Sequence, residues 1–331
     1  MPTRFSSLLF RSVGPIALAL SGSGLSAQSA DPGLPAYHPG SPVAGSVAAV
    51  SADTMEGLIR AWAAAFRSYQ PGADITETMK DVGPEDRAAL GPDTAEVFRN
   101  DNEPYEDAYG YEPFRICVSM AAFNRKEHIQ AIAVFVNRAN PLGQVSLAEL
   151  DAIYSRDRRR GYPAAITTWG QLGLTGEWAE RPIHAYGRGI RKDEVGMYFR
   201  DVVMFDGLYQ DGFRVPGRGV SADVVKAVTG DPAGIGFCAF SYVSADLRPL
   251  ALADAHGVVG QPVLGDVASG RYPLDRPLYL YVNRKPGRPL DPLLKEFLRF
   301  VLSKEGQDVV AASTYLPLSP EIAAAERAKL E

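Results

Sequence analysis

The stretch from Tyr272 to Leu318 constrains the fold more than any other. An extended apolar segment, YPLDRPLYLYVNR, passes through KPGRPLD into the helix-patterned PLLKEFLRFVLSKEGQDVVAAS. Leu278, Leu280 and Val282 alternate with Tyr279, Tyr281 and Asn283, the two-residue period of a strand. Leu293, Leu294, Phe297, Phe300 and Val301 recur at the three-and-four spacing of one helical face. The spacing predicts a strand that feeds a packed terminal helix.

Upstream, VAAV leads through SADT into MEGLIRAWAAAFRSYQPG, where Leu58, Trp62, Ala65, Phe66 and Tyr69 share a helical face before Pro71-Gly72 ends it. ADITET, EPFRICVSMAAF and QAIAVFVNR read as strands, and a helix is expected near Glu85–Leu90. NRANPL, from Asn137 to Leu142, breaks the pattern. After it come a helix (SLAELDAIYSR), the segment TTWGQLG, whose Trp169 is expected in the core, and a strand (PIHAYGR). Helices around Met197–Phe205 and Ser221–Thr229 and a strand at GIGFCAF complete the series. Strands alternating with helices of this length predict an α/β fold with sheets covered by helices.

Arg4 and Arg11 precede an apolar stretch, Val13–Leu20, and small residues up to Ala30, the layout of a secretory signal peptide. That stretch is far shorter than the roughly 20 apolar residues of a membrane span. No cysteine follows it within the first 40 residues to carry a lipid anchor. A soluble, exported mature chain of about 300 residues is expected, enough for two domains. Residues 31–45, rich in Pro, Gly, Ser and Ala, are expected to form a flexible mature N-terminus.

The two cysteines, Cys117 and Cys238, lie in apolar strand-like runs and read as buried free thiols, although export permits a disulfide. The four histidines are isolated from one another and from the cysteines, so no zinc-ligand spacing exists and no metal or other cofactor is expected. A net charge of −5, which includes the two arginines of the leader, argues against nucleic acid as a partner. The basic run Arg156, Arg158, Arg159, Arg160, followed by Gly161, Tyr162 and Pro163, reads as an exposed turn, with partner docking as the second reading.

The order of SADTMEGLIRAWAAAF, AIAVFVNRANPL, SLAELDAIYSR, TTWGQLG, PIHAYGR, DPAGIGFCAFSYV and YPLDRPLYLYVNR resembles the phosphate-binding-type solute receptors of bacterial ABC transporters, from Val47 through Leu318. The resemblance implies a two-lobed, type II-like periplasmic binding-protein fold, each lobe a mixed sheet flanked by helices. It places a first lobe at residues 46–137 plus 273–331 and a second at 138–272, joined by a hinge that the chain crosses twice. Ligands in such folds are held by closure of the lobes.

Receptors of this kind hold phosphate with hydroxyls and backbone N–H groups at helix N-termini, helped by arginine. The implied positions here are chemically different. Where relatives read Gly-Ser-Asp-Thr, this chain has Ser51, Ala52, Asp53 and Thr54, so one hydroxyl is lost. Their glycine-serine loop matches Asp81, Val82 and Gly83, and their Ser-Arg pair matches Asp101 and Asn102. Their Ser-Gly-Thr falls on Lys192, Asp193 and Glu194 within GRGIRKDEVGMYF. A carboxylate at a helix N-terminus occupies the donors that a bound phosphate needs, and it repels a dianion.

Asp53, Thr54, Asp101, Asn102, Arg188, Arg191, Lys192, Asp193 and Glu194 are therefore the candidate ligand contacts, in a mixed-charge cleft suited to a zwitterion, a polar solute or a differently placed anion. Each has a local alternative. Asp53, Thr54, Asp193 and Glu194 also suit helix N-caps, and Asp101 and Asn102 lie in a polar stretch that reads as a solvated loop.

The expected function is that of a periplasmic solute-binding protein for a small-molecule or inorganic anion ligand, working with an ABC permease, with phosphate disfavoured. A ligand-free accessory or sensor protein acting through its surface is the alternative. No nucleophile elbow, Walker loop, dinucleotide fingerprint or zinc-protease helix occurs, so no enzyme is expected.

Overall fold

The computed structural model describes residues 29–51, 55–79, 95–98, 114–123, 125–126, 128–189, 193–282, 287 and 289–331. The helix expected near Glu85–Leu90 lies outside them. In chain order the first elements are β1 (Gly45–Ser51), α1 (Glu56–Tyr69), β2 (Ala73–Met79), β3 (Ala95–Phe98) and β4 (Phe114–Met120). Next come β5 (Ile132–Asn137), β6 (Gln144–Ser146), α2 (Leu147–Tyr154), β7 (His184–Tyr186), α3 (Glu194–Met204), α4 (Ser221–Thr229) and β8 (Gly234–Ala239). The remainder are β9 (Leu247–Pro249), β10 (Ala251–Ala253), β11 (Val259–Gly260), α5 (Leu264–Ala268), β12 (Pro277–Val282), α6 (Pro292–Val301), α7 (Lys304–Ala312) and α8 (Pro320–Ala328).

The strand order β2-β1-β3-β12-β4 makes a first, five-stranded sheet. Within it β1 runs parallel to β2 and β3, while β12 is antiparallel to β3 and β4. A second sheet has the order β7-β8-β5-β9, and a small third sheet has the order β11-β10-β6. The predicted strand Tyr272–Asn283 thus returns, as β12, to the interior of the first sheet, where Leu278, Leu280, Tyr281 and Val282 are buried. A strand with ladders on both sides and cover on both faces buries both of its side-chain sets.

Helix α6 buries Leu293, Leu294, Phe297, Phe300 and Val301, the face read from spacing. Asp291 starts it by accepting the backbone N–H groups of Leu293 and Leu294 at 2.9 and 3.0 Å. Opposite lies α1, whose Trp62 is fully buried and donates its indole N–H to the Gly306 carbonyl at 2.8 Å. Trp169 is also fully buried, edge-on to Trp178 at 6.4 Å between ring centroids.

The chain leaves the first sheet after Met120, enters the second at Ile132, and returns through Tyr272–Arg276 to β12. The two crossings bond to each other. Ala121 N–H donates to the Arg276 carbonyl at 3.0 Å, and Ile132 N–H donates to the Leu274 carbonyl at 2.9 Å. The first crossing therefore precedes Ile132, which corrects the expected division at 137. β5 pairs with β8 and β9 in the second sheet. The break signalled by NRANPL is instead a turn at the end of β5. Asn137 Oδ1 accepts Ala139 N–H at 2.9 Å, and Asn140 Oδ1 accepts Leu142 N–H at 2.9 Å.

A second correction concerns residues 31–45, which form a packed strap along the first lobe. Leu34 and Tyr37 are buried. Lys304 N–H donates to the Pro35 carbonyl at 2.9 Å, and Gly40 N–H donates to Glu296 Oε1 at 2.9 Å. The segment lacks periodicity because it joins the sheet only at Gly45, its last residue, yet two apolar anchors suffice to dock it.

Candidate functional site

Strand β7 runs parallel to β8 and delivers Gly187 and Arg188 to its C-terminal end. Glycine is required just there, because a Cβ on Gly187 would lie 2.2 Å from the Phe237 ring and 2.8 Å from the Phe213 ring. The backbone presses against that aromatic layer, and the Arg188 side chain emerges beside it.

Arg188 meets the N-termini of two helices. Its Nε donates to Asp193 Oδ2 at 2.9 Å, with a second contact from Nη2, and its Nη1 donates to Ser221 Oγ at 2.8 Å. Asp193 is the N-cap of α3, its Oδ1 accepting the Gly196 N–H at 2.8 Å, and Ser221 opens α4. Both partners of the ion pair are largely shielded, with side chains 21 and 16 % exposed. Both nitrogens converge on one carboxylate oxygen, and the opposite charges strengthen the contact beyond a neutral hydrogen bond. The carboxylate of Asp193 thus holds a guanidinium and a helix N-terminal N–H at once, the two kinds of donor that an oxyanion ligand would use.

The Cys238 thiol neighbours this cluster, where burial pushes it up to about 12 against the opposing influence of Arg188 and Ser221. Cys117 and Cys238 are both buried and form no disulfide with each other. A buried, protonated thiol such as that of Cys238 is a poor nucleophile.

Glu194, in the first turn of α3, faces the second crossing. Its Oε2 lies 3.6 Å from Nη2 of Arg276, whose side chain is only 3 % exposed. The Arg276 guanidinium also lies over the Tyr198 ring, 5.2 Å from the centroid, and donates from Nη1 to the Gln130 carbonyl at 3.5 Å. Arg276 therefore touches the first crossing, the second crossing and α3 together. Its backbone sits at φ +55°, in the left-handed region that a non-glycine residue adopts only when its surroundings enforce it. Next to it, burial pushes the Asp275 carboxyl up to about 7, against backbone N–H groups that favour the anion.

Of the residues expected from sequence, Arg188 and Asp193 pair with each other, and Glu194, next in the chain, pairs with Arg276. Asp53, Thr54, Asp101, Asn102, Arg191 and Lys192 lie outside the described residues. Ser221, Arg276, Tyr198 and Gln130 were not singled out by spacing. The available signal was the charged pair Asp275-Arg276 inside an otherwise apolar run, YPLDRPLYLYV.

Beside β7, Asp231 Oδ2 receives the Tyr186 hydroxyl at 2.9 Å and lies 2.7 Å from His184 Nδ1. Burial raises the Asp231 pKa, but these contacts outweigh it and hold the group below the usual carboxylate range. Among the described residues no group of three or more His, Cys, Asp or Glu side chains is placed to hold a metal ion.

Residues 36–305 match the family described as the PBP superfamily domain. The chain is 34% identical over 319 residues to the phosphate-binding protein PstS of Pseudomonas aeruginosa, covering 93% of this chain and 95% of that protein. Two solved structures share the fold. PstS from Borrelia burgdorferi matches with a TM-score of 0.57 at 14% identity, covering 83% of this chain and 99% of that one. An ABC-type phosphate transport receptor from Vibrio cholerae matches with a TM-score of 0.52 at 15% identity, covering 82% of this chain and all of that one. The chain belongs to the phosphate-binding-type periplasmic binding-protein family.

Proposed function

We propose that the protein is an exported solute-binding receptor that takes a small polar or anionic ligand between its two lobes and delivers it to an ABC permease. The observation that carries this reading is the convergence of Arg188, the N-terminus of α3 and the opening of α4 at the C-terminal end of β7. Donors of this type at strand ends are where open α/β sheets hold ligands. The paired crossings at Ala121–Ile132 and Leu274–Arg276 supply a hinge about which two lobes close. The name of the Pseudomonas aeruginosa relative, a phosphate-binding protein, supports a receptor reading over a catalytic one.

Free phosphate is disfavoured as the ligand. Asp193 already holds the Arg188 fork and the Gly196 N–H, and Glu194 adds a second carboxylate beside it. A dianion entering there meets like charges that a partly dry cleft screens poorly. The ligand contacts are Arg188, Asp193 and Glu194, together with Asp53, Thr54, Asp101, Asn102, Arg191 and Lys192 from the matching segments.

That internal satisfaction of Arg188 also favours a second reading, in which the fold is kept without a ligand and acts as an accessory or sensor protein through its surface. Calorimetric titration of the wild-type protein with amino acids, organic acids, sugars and inorganic anions, with lobe closure followed by X-ray scattering, separates the two. Saturable binding with compaction supports the receptor. No binding across the panel supports the accessory role. A clear rise in melting temperature with millimolar phosphate overturns the exclusion of that anion.

A further inference from the structure

The Glu194–Arg276 pair is built unevenly. Arg276 is buried over the Tyr198 ring with the Gln130 carbonyl 3.5 Å away, whereas the Glu194 side chain is 34% exposed. Glu194 Oε2 and Arg276 Nη2 stand 3.6 Å apart, against 2.9 Å for Arg188 Nε and Asp193 Oδ2. Charge-assisted hydrogen bonds close to about 2.7–2.9 Å when well made, and this atom pair is longer, with the carboxylate on the solvent side of the buried guanidinium. The cation itself cannot do without a counter-ion, because removing the partner of a buried charge is strongly destabilising. The two groups also come from different parts of the fold. Arg276 belongs to the crossing and Glu194 to the first turn of the second-lobe helix α3.

We propose that Arg276 is an oxyanion-binding cation at the floor of the cleft and that Glu194 is its tethered resident anion, displaced when a ligand carboxylate, phosphate or sulfate group takes its place. The exchange conserves charge at the buried guanidinium. It also links ligand entry to the hinge, since Arg276 touches both crossings through Gln130 and its own backbone. Glu194 then acts as a built-in competitor that raises the threshold for small inorganic anions. An organic anion, with further contacts elsewhere in the cleft, exceeds that threshold more readily.

The inference rests on the cleft being the ligand site, and its test is the Glu194→Gln variant with inorganic phosphate and sulfate as probes. Calorimetry should show E194Q binding at least one of them about tenfold or more tighter than wild type, a change of 1.4 kcal/mol. A crystal of E194Q grown with that anion should place an oxyanion within hydrogen-bond distance of the Arg276 guanidinium. E194Q removes the counter-ion of a buried cation and should melt below wild type. A cooperative melting transition establishes that it is folded before titration, and the anion that binds it should raise that transition. No gain in affinity for either anion overturns the proposal, as does a gain with the anion seated on Arg188 alone. If wild type binds nothing in the solute panel while E194Q binds an anion at Arg276, the receptor reading fails and this one stands. If wild type binds a solute and E194Q gains nothing for either anion, the receptor reading stands and this one fails.

Discussion

Gly196 stands so close to Gly189 that a Cβ added to it would lie 2.1 Å from the Gly189 carbonyl oxygen and 3.2 Å from that of Arg188. The first turn of α3 is therefore seated directly on the loop that carries Arg188. This closeness holds Asp193 against the guanidinium and aims the Gly196 N–H at the same carboxylate.

Gly196→Ala should separate that loop from the helix. Overpacking of a tight contact costs about 1–3 kcal/mol, and the gain in helix propensity of roughly 1 kcal/mol offsets only part of it. A net loss of stability in urea is expected. Gly57, in the first turn of α1, is the control, since a Cβ there meets nothing within 4 Å. Gly57→Ala should raise stability by about 0.5–1 kcal/mol. Equal effects at the two glycines would contradict the contact described.

The Arg188–Asp193 pair lends itself to a double-mutant cycle. Removing either partner leaves the other largely shielded without its counter-charge, and Asp193 also loses its capping role. Arg188→Gln and Asp193→Asn should each destabilise by about 1–3 kcal/mol, with a coupling of at least about 1 kcal/mol because they share one interaction. Chemical denaturation of the two single variants and the double variant measures it. Additive losses would show that the pair is incidental.

Asp275, in the second crossing, gives folding stability a pH dependence of definite sign. Its carboxyl is raised from the ordinary value of 3.8 to about 7 in the folded protein by burial. Between those values the folded state keeps a proton that the unfolded chain has released, so stability falls as pH rises through that window and levels off above it. Asp275→Asn removes this contribution. Between pH 5 and pH 8 the wild-type protein should lose more unfolding free energy than the variant, by up to a few kcal/mol. Parallel pH profiles would place the carboxyl in a wetter setting than the fold implies.

Much of the architecture was legible because strong periodicity survives in one dimension. The alternation in β12 and the stripe of Leu293, Phe297 and Phe300 needed no partner to be recognised, and their burial followed. The membership of β5 was not legible. A strand buried on both faces, such as IAVFVN, carries no signal for the sheet it joins, and only its ladders with β8 and β9 assign it.

The site was half legible for a similar reason. Asp193 and Glu194 stand at a helix start that sequence marks, and the ion pair to Arg188 spans five residues. Arg276 lies 82 positions beyond Glu194, brought back by the second crossing. Pairings of that range depend on topology. The strap at residues 31–45 misled because its composition matches that of a linker, although Leu34 and Tyr37 punctuate it.

Tyr37 supplies the test of that strap. Its ring stands edge-on to Tyr69 at 5.1 Å and to Phe300 at 5.2 Å, and its hydroxyl donates to Glu296 Oε1 at 2.7 Å. Burial first, and then the Glu296 carboxylate, push the phenol well above its usual range, so it remains a donor throughout neutral pH. Tyr37→Ala removes a buried aromatic and should cost about 3–5 kcal/mol, the range for large-to-small core changes. Tyr37→Phe keeps the ring and deletes one donor. Glu296 retains Gly40 N–H at 2.9 Å and Arg299 at 2.9 Å, so the cost should fall to about 1–2 kcal/mol. Hydrogen exchange should show Gly40 N–H and Lys304 N–H protected in wild type and released in Tyr37→Ala. A strap that contributes nothing would leave both variants as stable as the parent, with those amides already exchanging freely.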